Sequence, residues 1–269
     1  PEAFMAGMKA GIKNMAAHDD GRPNSDAFWE GWFAHVDADA CDWATELDRF
    51  YEVEFGAIGA GVVPNPAAAR AVDALASKGY PLVLATMPMF SERAVRWRLE
   101  WAGVDPGRFS RLTNFANSTS VKPKPSYYAE NLAAAGLRFR TSKTLVPFRI
   151  TGNIEWGVRA PVIDGADVLM VGNNTVEDLG IRSLGADAFL VTDHLLDPTD
   201  GFDLASVKHG TIEEFAAWAE ALPACAEHAT GIDAGLVDAA ACERVLAENL
   251  AGDAPAAPGA GFTINGIEG

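Results

Sequence analysis

Apolar positions recur at helical spacing through the first sixty or so residues, then give way to short apolar runs separated by one-sided helices. Residues 3–17 place Phe4, Met8, Ile12 and Met15 on one face of a helix. Asp19 to Asn24, with Gly21 and Pro23, reads as a turn. Ser25 is the expected N-cap of a second helix that carries Phe28, Trp29, Trp32 and Phe33. A third helix is expected from about Asp42 to Ile58, with Trp43, Leu47, Phe50 and Phe55 as its apolar stripe. Aromatic stripes at this spacing are core faces before they are ligand contacts. Residues 1–63 therefore read as a small all-α layer.

Pro64 and Pro66 mark a change of pattern. Asn65 caps a helix bearing Val72, Leu75 and Ala76, which Gly79 closes. The run PLVLA follows and ends in Thr86. Ser91 caps a helix with Val95, Leu99 and Ala102; Arg111 to Phe115 is a candidate strand; Asn117 to Lys124 is a polar loop; Ser126 to Leu137 is a helix. Asp167 to Val171 is a buried strand, and Gly172, Asn173, Asn174 and Thr175 form a turn. Val176 to Leu184 is a helix closed by Gly185, and Ala188 to Val191 is apolar again. Helix and strand alternating at this spacing imply right-handed crossovers and one parallel sheet, so residues 64–222 read as an α/β core. Residues 138–165, with β-type residues around a Gly-Asn turn, interrupt the rhythm and read as an inserted hairpin and a candidate interaction surface. Thr192 to Leu204 is loop, Ile212 to Leu222 an amphipathic helix, and 223–269 an extension with a helix expected at about 233–250. Its Ala-, Gly- and Pro-rich stretch 251–261 reads as mobile.

Charge narrows the function. The formal charge is −16 over 269 residues, which argues against nucleic acid and anionic membranes as partners. An anionic substrate then needs local cations or N–H donors to overcome that field. Three scattered cysteines fit neither a zinc spacing nor a disulfide framework, so a reducing cytoplasm is expected. No apolar run approaches the ~20 residues of a spanning helix, and no signal peptide is evident. The chain opens at Pro1 already inside a helical pattern, so a preceding segment is expected.

Three signals carry chemistry. Ligands of an open parallel sheet sit past the carboxyl ends of its strands. Thr86 ends the strand PLVLA, where a hydroxyl can donate to an anionic oxygen. Lys122 stands in VKPKPSYY, where Pro123 and Pro125 are expected to hold it on an extended segment, suited to neutralise a phosphoryl or carboxylate group. Asn173 and Asn174 form the turn after VLMV, with Asp178 beyond it; a carboxylate there suits Mg²⁺.

In this order the motifs resemble the haloacid dehalogenase superfamily of hydrolases, most closely its phosphatase-like members with a helical cap. Thr86 in LVLATMP is similar to the second family motif, Lys122 in KPKP to the third, and VLMVGNNTVEDL to the fourth, with Asp178 as its second acid. The resemblance spans roughly Phe4 to Leu222. It implies a Rossmannoid parallel sheet with 1–63 as the cap, and a phosphate site at Thr86, Met87 and Lys122. It also implies Mg²⁺ held through Asp178, Asn174 and Asn173, and a small phosphorylated substrate. The family's first motif, an Asp-x-Asp-x-Thr supplying the nucleophile, precedes the cap. The lookalike at Asp37 and Asp39 follows a helix rather than a strand and is a decoy. The fourth motif carries two amides where the family usually has an acid, which lowers the charge offered to a metal.

The resemblance therefore implies a Mg²⁺-dependent phosphatase working through an aspartyl-phosphate on an Asp upstream of Pro1. A metal-independent 2-haloacid dehalogenase-like hydrolase is the second reading; it shares the Asn in the fourth motif but not the Thr86-Met87-Pro88 sequence. A non-catalytic binding or scaffold protein on the same fold is the third.

Overall fold

The computed structural model describes residues 2–134, 140–141, 146–150, 153–157, 161–162 and 168–225. The helix expected at 233–250 and the stretch 251–261 lie outside them, as does most of the 223–269 extension. The chain is a mixed α/β protein that opens with a helical layer.

That layer begins as a helical hairpin, α1 (Glu2–Ala17) and α2 (Asn24–Phe33). Gly31 lies so close to α1 that a Cβ on it would stand 2.6 Å from the Ala10 carbonyl carbon. Only a residue without a side chain lets the two backbones approach to that depth. Met15, Phe28 and Trp32 fill the hairpin's core, and Met8, Ile12, Trp29 and Trp43 pack around them. Met89 and Phe115 of the following α/β region reach into the same cluster, so the layer is seated on that region by apolar contact. Of the expected stripes in this first pair, Met15, Phe28 and Trp32 are core, while Phe4 and Phe33 are exposed.

The second helix begins one residue before the expected cap. Pro23 is its N-cap, and Asn24, not Ser25, opens it. The reason is long-range: Asn24 is fully buried, its N–H donates to the Ser118 carbonyl at 2.8 Å, and its Nδ2 donates to Ser120 O at 3.1 Å and Pro88 O at 3.3 Å. Its Oδ1 lies 2.6 Å from His18 Nε2. The third expected helix breaks up. α3 (Trp43–Phe50) passes into a π turn at Tyr51–Phe55 and a 3₁₀ turn at Ile58–Gly61. No residue of α3 is buried, and Phe50 and Val53 are exposed. Of its apolar stripe, Trp43 meets Trp32 of the hairpin while Phe55 packs on Trp101 and Phe90 of the following α/β region, so the two ends of the segment answer to different partners.

Beyond Pro64 the α/β alternation follows. α4 (Pro66–Ser77) is capped by the Asn65 side chain, whose Oδ1 accepts from Ala67 N at 3.0 Å. β1 (Val83–Leu84) follows, then α5 (Glu92–Trp101), capped by Ser91, and β2 (Arg111–Leu112), parallel to β1. β2 is shorter than the expected 111–115: past Leu112 the Thr113 hydroxyl donates across to Leu84 O and Asn114 Nδ2 donates back to Leu112 O. α6 (Pro125–Ala134) comes next. Within the expected insertion, β3 (Arg140–Thr141) pairs with β6 (Pro161–Val162), and β4 (Val146–Ile150) pairs with β5 (Asn153–Gly157); both pairings are antiparallel. The expected hairpin is present, with Ile150 opposite Asn153.

β7 (Leu169–Gly172), β8 (Asp187–Val191) and β9 (Lys208–Gly210) form a three-stranded parallel sheet, followed by α7 (Ile212–Ala221). The expected helix at 176–184 is a 3₁₀ segment, Leu179–Leu184, closed by Gly185 at φ 84°. The strand β9 was not foreseen, since KHG carries no apolar signal; it is placed by its backbone pairing with β8. The α/β strands therefore form two small parallel sheets, β1–β2 and β7–β8–β9, rather than the single one expected. α4 packs on both, touching Leu84 on one side and Leu169, Val171 and Phe189 on the other. No helix among the described residues is long and apolar enough to cross a membrane.

Candidate functional site

The opening turn of α6 joins the carboxyl ends of the two sheets. Tyr127 Oη donates to the Thr86 carbonyl at 2.5 Å, and the Tyr128 hydroxyl donates to the Glu177 carbonyl. Both rings are buried, which holds their phenols well above the usual pKa. They act as fixed donors that clamp the end of β1 and the turn after β7 to one helix. Three of the polar positions singled out in the sequence flank this clamp.

Lys122 and Asp178 lie 56 residues apart and meet directly. Lys122 Nζ donates to Asp178 Oδ1 at 2.6 Å, and the two side chains are only 8% and 7% exposed. A solvated surface lysine is therefore not what position 122 holds. The segment carrying it is a turn rather than the expected extended segment, and its Lys122–Pro123 peptide is cis. The second oxygen of Asp178 accepts from Asn174 N at 2.9 Å. Gly172 makes this possible: a Cβ there would stand 2.2 Å from Asp178 Oδ2. Gly172→Ala is accordingly expected to push the carboxylate off Asn174 and cost about 1–3 kcal/mol. Urea denaturation reads this, and an unchanged midpoint would refute the packing.

The two amides have separate structural tasks. Asn174 Oδ1 accepts from Val176 N and Glu177 N, each at 2.9 Å, and so closes the turn before the 3₁₀ segment. Asn173 Nδ2 donates to the His194 carbonyl, and Asn173 O accepts from Leu196 N at 2.7 Å, which ties the turn to the loop after β8. Thr86 is placed at the strand end as expected, but its hydroxyl turns sideways. It donates to Thr113 O at 3.1 Å, while Thr86 N donates to Thr113 Oγ1 at 2.8 Å. The Met87 N–H has no acceptor among the described residues. Of the β1 terminus, the Met87 amide is thus the ready donor and the Thr86 hydroxyl needs a rotation to serve. Asp37 caps its own 3₁₀ turn on the exposed surface, far from this chemistry in role: its side chain accepts from Asp39 N at 3.0 Å.

Mg²⁺ does not fit the residues as they stand. Among the described residues no group of three or more His, Cys, Asp or Glu could hold a metal ion. Asp178 already has an ammonium 2.6 Å from one of its oxygens. Asn174 spends its amide oxygen on backbone donors. Mg²⁺ favours carboxylate oxygens and retained waters, and a neighbouring ammonium opposes it.

Sequence reasoning passed over several groups that build this rim. Glu177 precedes Asp178, and its burial raises the carboxyl pKa against the pull of Lys122. Tyr127 and Tyr128 were visible as a pair in PSYY but carried no motif. Behind them, Glu130 is buried and accepts from Thr119 N at 3.0 Å, and Arg111 Nε donates to Asn131 Oδ1 at 2.6 Å. Burial is the largest influence on Glu130 and raises its pKa, with the Thr119 hydrogen bonds pulling the other way. A carboxyl raised in the folded state stabilises fully below its unfolded value, and that contribution fades as pH rises through the raised one. The Glu130→Gln variant should therefore lose less stability than the parent between about pH 4 and about pH 7. Urea midpoints at the two pH values measure it; an unchanged difference would contradict the assignment.

No protein-family model matches the chain, and no curated protein matches it either.

Proposed function

We propose that this chain is the cap and most of the core of a haloacid dehalogenase-like hydrolase acting on a small anionic substrate, a phosphate monoester first. The observation that supports this is the buried Lys122–Asp178 pair at 2.6 Å, clamped beside the end of β1 by Tyr127 and Tyr128. The pair is neutral overall, and what an ammonium held by a single carboxylate at the carboxyl ends of parallel strands offers a second anion is its remaining N–H donors. In a molecule of formal charge −16, such a cation is what an anionic group requires.

In this reading Lys122 neutralises the substrate's anionic group and orients it. The Met87 N–H donates to one of its oxygens, and Thr86 adds a hydroxyl after rotating away from Thr113. Asp178 sets the position of Lys122. The nucleophile is a carboxylate from polypeptide ahead of Pro1, attacking phosphorus to give an aspartyl-phosphate that water then hydrolyses. The helical layer, seated through Met89 and Phe115, shields the site.

A metal-independent hydrolase of the same superfamily is the second reading. It is favoured by the occupation of both Asp178 oxygens and the amide character of Asn173 and Asn174. One assay separates the two. A polypeptide extended upstream of Pro1 is given a panel of phosphate monoesters with Mg²⁺, and 2-haloacids with a chelator. Phosphate release that falls at least about a hundredfold in Lys122→Met supports the first reading, whether or not it needs Mg²⁺. Halide release indifferent to the chelator supports the second, and turnover of neither class refutes both.

A further inference from the structure

Asn24 stands where the helical layer meets both loops of the rim. It is fully buried, and its side-chain Nδ2 donates to Pro88 O at 3.3 Å and to Ser120 O at 3.1 Å. Pro88 follows Met87 in a tight turn closed by the Met89 N–H on Met87 O at 2.8 Å. Ser120 precedes Lys122 in the segment that runs from β2 to α6. One amide thus bridges the loop that presents the Met87 N–H and the loop that presents the Lys122 ammonium. The backbone beside it is tied to the second of these segments as well: Asn24 N donates to Ser118 O and Ser25 N to Phe115 O, each at 2.8 Å.

The orientation of this amide follows from its neighbours. Pro88 O and Ser120 O only accept, so the amide nitrogen faces them and its oxygen faces the other way. Asn24 Oδ1 lies 2.6 Å from His18 Nε2, which must then carry a proton. The other ring nitrogen, Nδ1, lies 3.1 Å from Asp20 Oδ1. The His18 hydrogen bond is the largest of the causes that hold the Asp20 carboxyl below its usual range, so at neutral pH Asp20 is an acceptor too. Both ring nitrogens therefore face acceptors, and His18 satisfies them together by donating from both. The His18 side chain is only 6% exposed, which leaves little room for water to replace a lost partner. Arg22 on Asp20 at 2.7 Å, Lys124 on the His18 carbonyl at 3.1 Å and Glu130 of α6 complete the charged surroundings.

We infer that Asn24 is a positioning residue of the anion rim: its amide, oriented by the His18 Nε2–H, sets the spacing between the Met87 N–H and Lys122. Asn24 acts through Pro88 and Ser120, and His18 acts through Asn24. This deepens the functional reading above and rests on it for the role of the rim.

Magnetic resonance of the isotope-labelled chain tests the clip. The first reading is the His18 ring nitrogens at neutral pH, where Nε2 should be protonated. An unprotonated Nε2 would place the amide the other way round, with Oδ1 against two carbonyls, and would overturn the proposal. The second reading uses Asn24→Asp, which keeps the shape and puts an acceptor in place of Nδ2. The backbone amide shifts of Met87 and Met89 in one loop, and of Val121 and Lys122 in the other, should all move. Met8→Ala loosens the same helical hairpin away from the clip and should leave these four in place. His18→Gln, which retains Asn24 itself, should move all four by less, and it decides the matter where Asn24→Asp does not fold. Movement in one loop only, in neither, or equally in Met8→Ala overturns the proposal. The third reading is the dissociation constant of inorganic phosphate, followed at Met87. It should rise at least about tenfold in Asn24→Asp and stay within about twofold of the parent in Met8→Ala; an equal rise in both contradicts a positioning role. A parent chain that binds no phosphate refutes the functional reading, while the ring and amide shifts still decide the clip.

Discussion

Lys122→Met should cost about 3–5 kcal/mol, because it strands the Asp178 carboxylate in a site where its side chain is 7% exposed. The remaining partner, the Asn174 N–H at 2.9 Å, satisfies only one oxygen. The ammonium is not expected to be valuable as a pair: replacing both partners with apolar residues is often neutral. The double variant Lys122→Met with Asp178→Leu should therefore recover most of the loss. Urea denaturation of the two single variants and the double gives the coupling directly. A single-variant loss under about 1 kcal/mol would mean that water reaches the carboxylate and that the pair is not buried in solution.

Trp32→Ala should cost a similar amount, about 3–5 kcal/mol, through a different cause. Trp32 is 3% exposed and is the hub of the helical layer. Its ring stacks on Phe28 at 5.8 Å and meets Phe4 at 4.9 Å and Trp43 at 5.3 Å edge-on. Truncation opens a cavity between two helices whose close approach, at Gly31, leaves little freedom to collapse. The indole N–H is buried without an acceptor among the described residues, so Trp32→Phe removes that cost while keeping most of the contact and should lose less than about 1.5 kcal/mol. Equal losses for the two variants in thermal or urea melts would contradict this account of the core.

What the sequence revealed follows from the range of the forces involved. The helices α1, α4, α5 and α7 were legible because local periodicity and caps such as Asn65 and Ser91 decide them. Lys122 and Asp178 were legible as separate positions, and their meeting is a tertiary fact that helical or strand spacing does not encode. The start of α2 was misread since Asn24 answers to Ser118 and Ser120, about a hundred residues away, rather than to its own helix. The long helix at 42–58 failed because its stripe is divided between two partners, Trp43 on Trp32 and Phe55 on Trp101 and Phe90. The single sheet was expected from alternation alone, which counts elements and is blind to a gap between β1 and β7. The sideways turn of the Thr86 hydroxyl depends on Thr113, a residue no motif marked.

The central claim is that an anionic group seats at the rim where Lys122 and the Met87 amide converge. Titration of the isotope-labelled chain with inorganic phosphate, followed by the ¹⁵N shifts of Met87 and the Lys122 ammonium, measures this most directly. Saturating shifts at both positions, with the Met87 response abolished in Lys122→Met, are the expected result. Shifts absent from both while phosphate perturbs other lysines would contradict it.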